Sequence, residues 1–135
     1  MVETPVEIDD IPQDEFYQYR LIIDNMKEII KTRGWVQNAV NRPSGEVCIL
    51  GAWAVAPKLV TGNPSVTRLI GHYIKRERLR DFRYRDRNLI SRTHPHSAII
   101  RWNDHPRRKE DDVLKLLHDA ARYKSYCKDD LEAGA

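Results

Sequence analysis

Apolar residues recur at three- and four-residue steps through Phe16, Tyr19, Ile23, Met26 and Ile30, and Ile22 and Ile29 widen the stripe. Side chains at these steps share one helical face, so the spacing predicts an amphipathic helix. Asp10 suits its N-cap and Pro12 its first turn. Gly34 stands past the last periodic residue, behind Lys31 and Arg33, where helix C-termini carry glycine. The run Asn38, Asn41, Arg42, Pro43, Ser44, Gly45 has turn chemistry and predicts a chain reversal. Val47 to Ala56 is the most apolar stretch, and its small residues Gly51, Ala52, Ala54 and Ala56 suit a tightly packed central helix. A short strand at Val47 to Leu50 is the alternative. Pro57 argues against a long continuation.

Asn63 and Pro64 form a cap-plus-first-turn pair ahead of a second stripe, Val66, Leu69, Ile70, Tyr73 and Ile74, which runs into an arginine-rich segment and predicts a helix fraying near Asp81 to Arg87. Ser91 to Ser97 reads as a loop. Ala98, Ile99, Ile100 and Trp102 follow as a buried helical turn or strand. The clearest element comes last: Val113, Leu114, Leu116, Leu117, Ala120 and Ala121 behind an acidic first turn of Glu110, Asp111 and Asp112, where the helix dipole favours negative charge. Together these patterns predict a mainly α, compact single domain of about four to five helices, with room for one short strand pair. Residues 1–10 form an acidic, poorly ordered lead-in, 11–126 the helical domain with a basic segment at 73–92, and 127–135 a polar tail.

The 135-residue length is enough for a core without staples, and a composition of 41% hydrophobic and 32% charged residues is that of a globular chain. No apolar run is long enough to cross a membrane, and Met1 to Pro5 lacks the pattern of a secretory signal. A cytoplasmic protein is expected, with no membrane partner. Cys48 and Cys127 form no metal-binding pair and no disulfide framework, so free thiols are expected, Cys127 the accessible one. The net charge of +3 is unevenly spread. Glu3, Glu7, Asp9, Asp10, Asp14 and Glu15 open the chain without a base among them, whereas Lys75, Arg76, Arg78, Arg80, Arg83, Arg85, Arg87 and Arg92 face only Glu77, Asp81 and Asp86. Such asymmetry points to an anionic partner or to one part of the protein shielding another.

Candidate chemistry gathers at the joints between helices. Cys48, with Gln37 as an oxyanion donor and Asn103 as an orienting group, has the residue types of a cysteine-dependent hydrolase, which needs a thiolate, a base within reach and a third group. A buried cysteine in an apolar run is the simpler reading. Asn103 and Asp104 next to Trp102 have the types for metal binding or acid–base work. More simply, Trp102 anchors the core while the two short polar side chains bond exposed amides of the following turn. Trp35 and Gln37 read likewise, as a core anchor and a group bonding the loop backbone. His94 and His96, with His72 and His105, give the sole metal-like spacing, but no further ligand comes with defined spacing, so neither metal nor cofactor is expected.

The order of these joints resembles a family. An amphipathic helix ending in Arg33-Gly34-Trp35-Val36-Gln37 is followed by Gly45-Glu46-Val47-Cys48-Ile49-Leu50-Gly51-Ala52, and then by Trp102-Asn103-Asp104-His105-Pro106-Arg107-Arg108 ahead of the last helix. This is similar to a family of short uncharacterised proteins common in actinobacteria and their phages, over about residues 16 to 122. The resemblance implies a compact helical domain without an assigned activity, and it supplies no histidine to match Cys48. Lys109 stands where the family usually has a capping Thr, and Val36 where Cys is frequent. The basic segment is longer and richer in arginine than the family leads one to expect.

That segment is therefore the leading functional feature. Arg76, Arg78, Arg80, Arg83, Tyr84, Arg85 and Arg87 combine bidentate phosphate donors with aromatic stacking faces, which suits nucleic acid. A solvated helix face of mixed charge is the plain alternative, since Glu77, Asp81 and Asp86 stand at spacings that permit internal pairs. The sequence pI of about 8.9 falls just short of a strongly basic footprint. The expectation is a non-enzymatic binding protein, a phage accessory or host-interaction factor, that meets an acidic protein surface or nucleic acid through this segment. The family resemblance leans toward a host or phage protein as partner.

Overall fold

The computed structural model describes residues 15–56 and 65–131. Among them lie six α-helices: α1 Glu15–Arg33, α2 Ile49–Val55, α3 Ser65–Glu77, α4 Arg87–Arg92, α5 Pro95–Asn103 and α6 Glu110–Ala121. The expected caps at Asp10, Pro12, Asn63 and Pro64 lie outside the described residues, as do Pro57 and the acidic lead-in.

The α1 stripe buries Ile22, Ile23, Met26 and Ile30 completely. Each such side chain contributes about 1.5–3 kcal/mol relative to exposure, which is what holds α1 against α6 and α2. Gly34 closes the helix at φ 90°, its amide bonding the Ile30 carbonyl at 2.8 Å. The α3 stripe Val66, Leu69, Ile70, Tyr73 and Ile74 packs mainly on α5. There the backbones approach so closely that a Cβ on Gly71 would stand 2.3 Å from the Pro95 carbonyl oxygen.

Four sequence expectations change. The strand alternative at Val47 reduces to one residue: Val47 makes isolated bridges to Trp35 and Asn41, Cys48 caps α2, and the helix reading holds from Ile49. The arginine-rich segment is not a fraying continuation of α3. It breaks into 3-10 turns at Leu79–Asp81 and Tyr84–Asp86 and restarts as α4, which raises the helix count above the expected number. The predicted loop from Ser91 to Ser97 is mostly helical, because Pro95 occupies the first turn of α5 and the His94 ring accepts the His96 amide at 3.1 Å. Residues 127–131 do not trail away as a tail. Asp130 is 2% exposed and takes both ends of the Arg76 guanidinium, at 2.8 and 2.5 Å. Tyr123 and Tyr126 pack edge to face and join Tyr73 of α3 and Phe16 of α1, clamping this C-terminal strap to the domain.

Candidate functional site

The three joints meet at one side chain, Asn103, at the end of α5. Its Oδ1 accepts from Trp35 Nε1 at 2.8 Å and from the Ile49 amide at 3.3 Å; its Nδ2 donates to the Val36 carbonyl at 3.2 Å and to Asp104 Oδ1 at 2.9 Å. Gln37 Nε2 donates to the carbonyls of Asn103 and His105, and Asp104 Oδ1 takes the Asn38 amide. The Trp35 amide bonds Glu110 at the start of α6. Asn103 and Asp104 therefore bond amides of the two earlier joints rather than of the following turn. Each residue of the predicted hydrolase set is committed here. Gln37 Nε2, the proposed donor, is taken by two carbonyls, the Asn103 side chain by backbone, Trp35 and Asp104, and Cys48 is 8% exposed, its Sγ accepting the Gly51 amide at 3.3 Å. Burial pushes the Cys48 thiol up, away from the thiolate that nucleophilic work requires. Among the described residues no histidine hydrogen-bonds it, and no three His, Cys, Asp or Glu side chains gather as a metal ion would need. Cys127 is exposed.

The arginine segment divides in two. Arg76 pairs with Asp130, and Arg78, 8% exposed, bonds Asp119 at 2.6 Å. Arg87 donates to the Phe82 and Arg80 carbonyls while lying 5.5 Å from the Tyr84 ring centre. These three of the expected binding residues serve the fold, Arg76 and Arg78 through acids distant in sequence. Among the described residues of the segment only Arg78–Asp81, at 3.7 Å, is a local pair of the kind the mixed-charge alternative supposed. Arg80 and Arg85 on the 3-10 turns, and Arg83 in the extended link between them, are exposed and form no ion pair among the described residues. Between them Tyr84 is 85% exposed.

Facing this ridge is the loop between α5 and α6, which the sequence reasoning assigned only to structure. Arg80 and Arg83 share a pocket of about 320 Å³ with His105, Arg107 and Arg108, and with Asp81 and Phe82, the Asp81 carboxylate being engaged by Trp102 Nε1. Arg108 is fixed: its guanidinium lies 3.9 Å from the Trp102 ring centre and donates to the Trp102 and Asp81 carbonyls, while Trp102 Nε1 bonds Asp81. Arg107 is exposed and forms no ion pair among the described residues. Burial, and then the charges of Arg108, Arg83 and Arg107, hold His105 below the usual histidine range. Its Nδ1 accordingly accepts the Arg107 amide at 3.2 Å. Such a convergence of cations attracts an anion. The doubled arginine after Pro106 was its only sequence signal, and nothing in the spacing showed that this loop returns to the 3-10 turns.

Among the described residues no helix is long and apolar enough to cross a membrane. Residues 18–123 match the model of a family of unknown function, DUF6197, and the chain belongs to that family. Comparisons with curated proteins and with solved structures gave no match.

Proposed function

We propose that this member of DUF6197 is a binding protein for single-stranded nucleic acid, with Arg80, Arg83, Arg85 and Arg107 meeting phosphates and Tyr84 stacking on a base. The observation that carries the reading is the sorting of the arginines: Arg76, Arg78 and Arg87 are held by Asp130, Asp119 or backbone carbonyls, whereas Arg80, Arg83 and Arg85, which form no ion pair among the described residues, flank a tyrosine that is 85% exposed. A solvated mixed-charge face would spread its pairs along the segment; here the ion pairs among the described residues stop at Arg78. An exposed aromatic among unpaired guanidiniums favours a nucleic acid over an acidic protein, since bases offer stacking faces and phosphates offer bidentate acceptors.

The test is fluorescence anisotropy with a labelled oligonucleotide across a salt series. Binding weakens as salt rises, by about 0.7 in log–log slope per phosphate neutralised. Replacing Arg80, Arg83 and Arg85 together by Ala flattens that slope by about 2. Tyr84→Ala costs about 1–3 kcal/mol of affinity and leaves the slope unchanged. Affinity indifferent to salt and to the triple replacement overturns the reading. Binding to acidic proteins but not to oligonucleotides replaces it by the protein-surface alternative.

A further inference from the structure

A second cavity lies away from the arginine ridge, beside Cys48. It has a volume of about 380 Å³, and its apolar wall comes from Val40 and Leu50 on one side and Ile99 and Ile100 of α5 on the other. Its mouth is reachable, since Val40 is 53% and Ile100 44% exposed. The size falls within the range of small-molecule sites, which combine apolar walls with a few polar groups that fix orientation. Most polar atoms here are already used: Cys48 Sγ accepts the Gly51 amide, and the Asn103 side chain is saturated by Trp35, Ile49, Val36 and Asp104. Asp104 differs. Its Oδ1 takes both the Asn38 amide and Asn103 Nδ2, each at 2.9 Å, while Oδ2 takes no hydrogen bond among the described residues. Among the described residues no cationic side chain lines the cavity.

We infer that this cavity binds a small apolar molecule carrying one cationic amine, its hydrocarbon part between Val40, Leu50, Ile99 and Ile100 and its ammonium on Asp104 Oδ2. The choice of occupant follows from charge. A carboxylate-bearing molecule would meet Asp104 with like charge, and a neutral one would leave the carboxylate facing an apolar body. An alkylammonium supplies both the apolar area and the donors, and a charged hydrogen bond is about twice as strong as a neutral one.

The experiment titrates the isotope-labelled full chain with hexylamine, hexan-1-ol and hexanoate and follows amide and methyl resonances. Saturable shifts centred on Asn38, Val40, Ile99 and Ile100 are expected, with hexylamine about fivefold tighter than the alcohol and hexanoate weakest. Asp104→Asn keeps an oxygen for the Asn38 amide and removes the charge, so it equalises amine and alcohol. Ile100→Trp narrows the mouth and weakens all three ligands. Failure of all three to saturate wild-type protein at these resonances overturns the inference, as does hexanoate matching hexylamine or Asp104→Asn retaining the amine preference. The wild-type ligand series decides the matter even if a variant misfolds, and it is independent of oligonucleotide binding at the arginine ridge.

Discussion

Replacing Asn103 tests whether the joints are held by one polar side chain. The residue is 2% exposed and makes four side-chain hydrogen bonds. Asn103→Ala removes them all. The Ile49 amide at the start of α2 and the Val36 carbonyl are then left without these partners, and a buried unsatisfied group costs about 1–3 kcal/mol, so the pair costs about 2–6 kcal/mol. That is a large part of the roughly 5–15 kcal/mol that stabilises a domain. Asn103→Asp separates donor from acceptor. It preserves Oδ1 for Trp35 and Ile49, yet sets an oxygen against the Val36 carbonyl and the Asp104 carboxylate. Those neighbours raise the folded-state pKa of the new carboxyl above its unfolded value. The penalty is therefore full above the folded pKa and is relieved as pH falls through it. Urea denaturation followed by circular dichroism, at pH 7.5 and pH 5, measures both variants. If Asn103→Ala unfolds within about 1 kcal/mol of wild type, or Asn103→Asp shows no gain relative to wild type at the lower pH, the node is not what joins these segments.

Further outcomes are checked as simply. Gly51→Ala would place a Cβ 2.1 Å from the Val40 carbonyl oxygen, which also accepts the Cys48 amide; a loss of about 1–3 kcal/mol in urea denaturation is expected, and neutrality refutes the close approach. For Asp130, burial raises the carboxyl but the Arg76 guanidinium and the Cys127 amide outweigh it, leaving the group below its ordinary range. Its stabilisation is present above the unfolded carboxyl pKa and is lost as pH falls through the folded one, so protection of the strap against proteolysis fails in acid, and Asp130→Asn abolishes it at neutral pH. A thiol reagent labels Cys127 at once and Cys48 only on unfolding, as mass spectrometry of digests will report; equal rates refute the burial of Cys48. Arg107→Ala weakens oligonucleotide binding with little change in Tm, whereas Arg108→Ala lowers Tm by several degrees, for a loss of about 1–2 kcal/mol from its contacts with Trp102 and two carbonyls.

Hydrophobic periodicity carried most of the fold into view, because α1, α3 and α6 bury one face each and their stripes are long enough to count. Where period was short the sequence was ambiguous. The apolar run at Val47 favours a helix by its small residues but leaves a short strand open, and the Cys48 cap and the bridges of Val47 decide it. Two histidines flanking a proline among polar residues read as a loop, and the start of α5 at Pro95 shows only in the structure. The arginine segment shows the deeper limit. Its charge was obvious, but Arg76 and Arg78 find their acids at Asp130 and Asp119, 54 and 41 residues away, distances at which charge patterning along the chain says nothing. For the same reason the approach of Arg107 to Arg83 was invisible.

The polar node also has a consequence in time. Its bonds from Asn103 reach back 54 residues to Ile49 and 68 to Trp35, and Glu110 reaches back 75 to Trp35. A chain growing at about 5–20 residues per second leaves the first two joints unsatisfied for roughly 3–15 s before the third is made. Until then the α1 and α2 segments can pack on one another and on α3 but lack α5 and α6, and the closing step is a long-range docking event whose entropic cost rises only slowly with the length of the loop it closes. The final domain is thus completed only after residues 103–110 are synthesised, and until then the Trp35 indole N–H waits for its acceptor on Asn103.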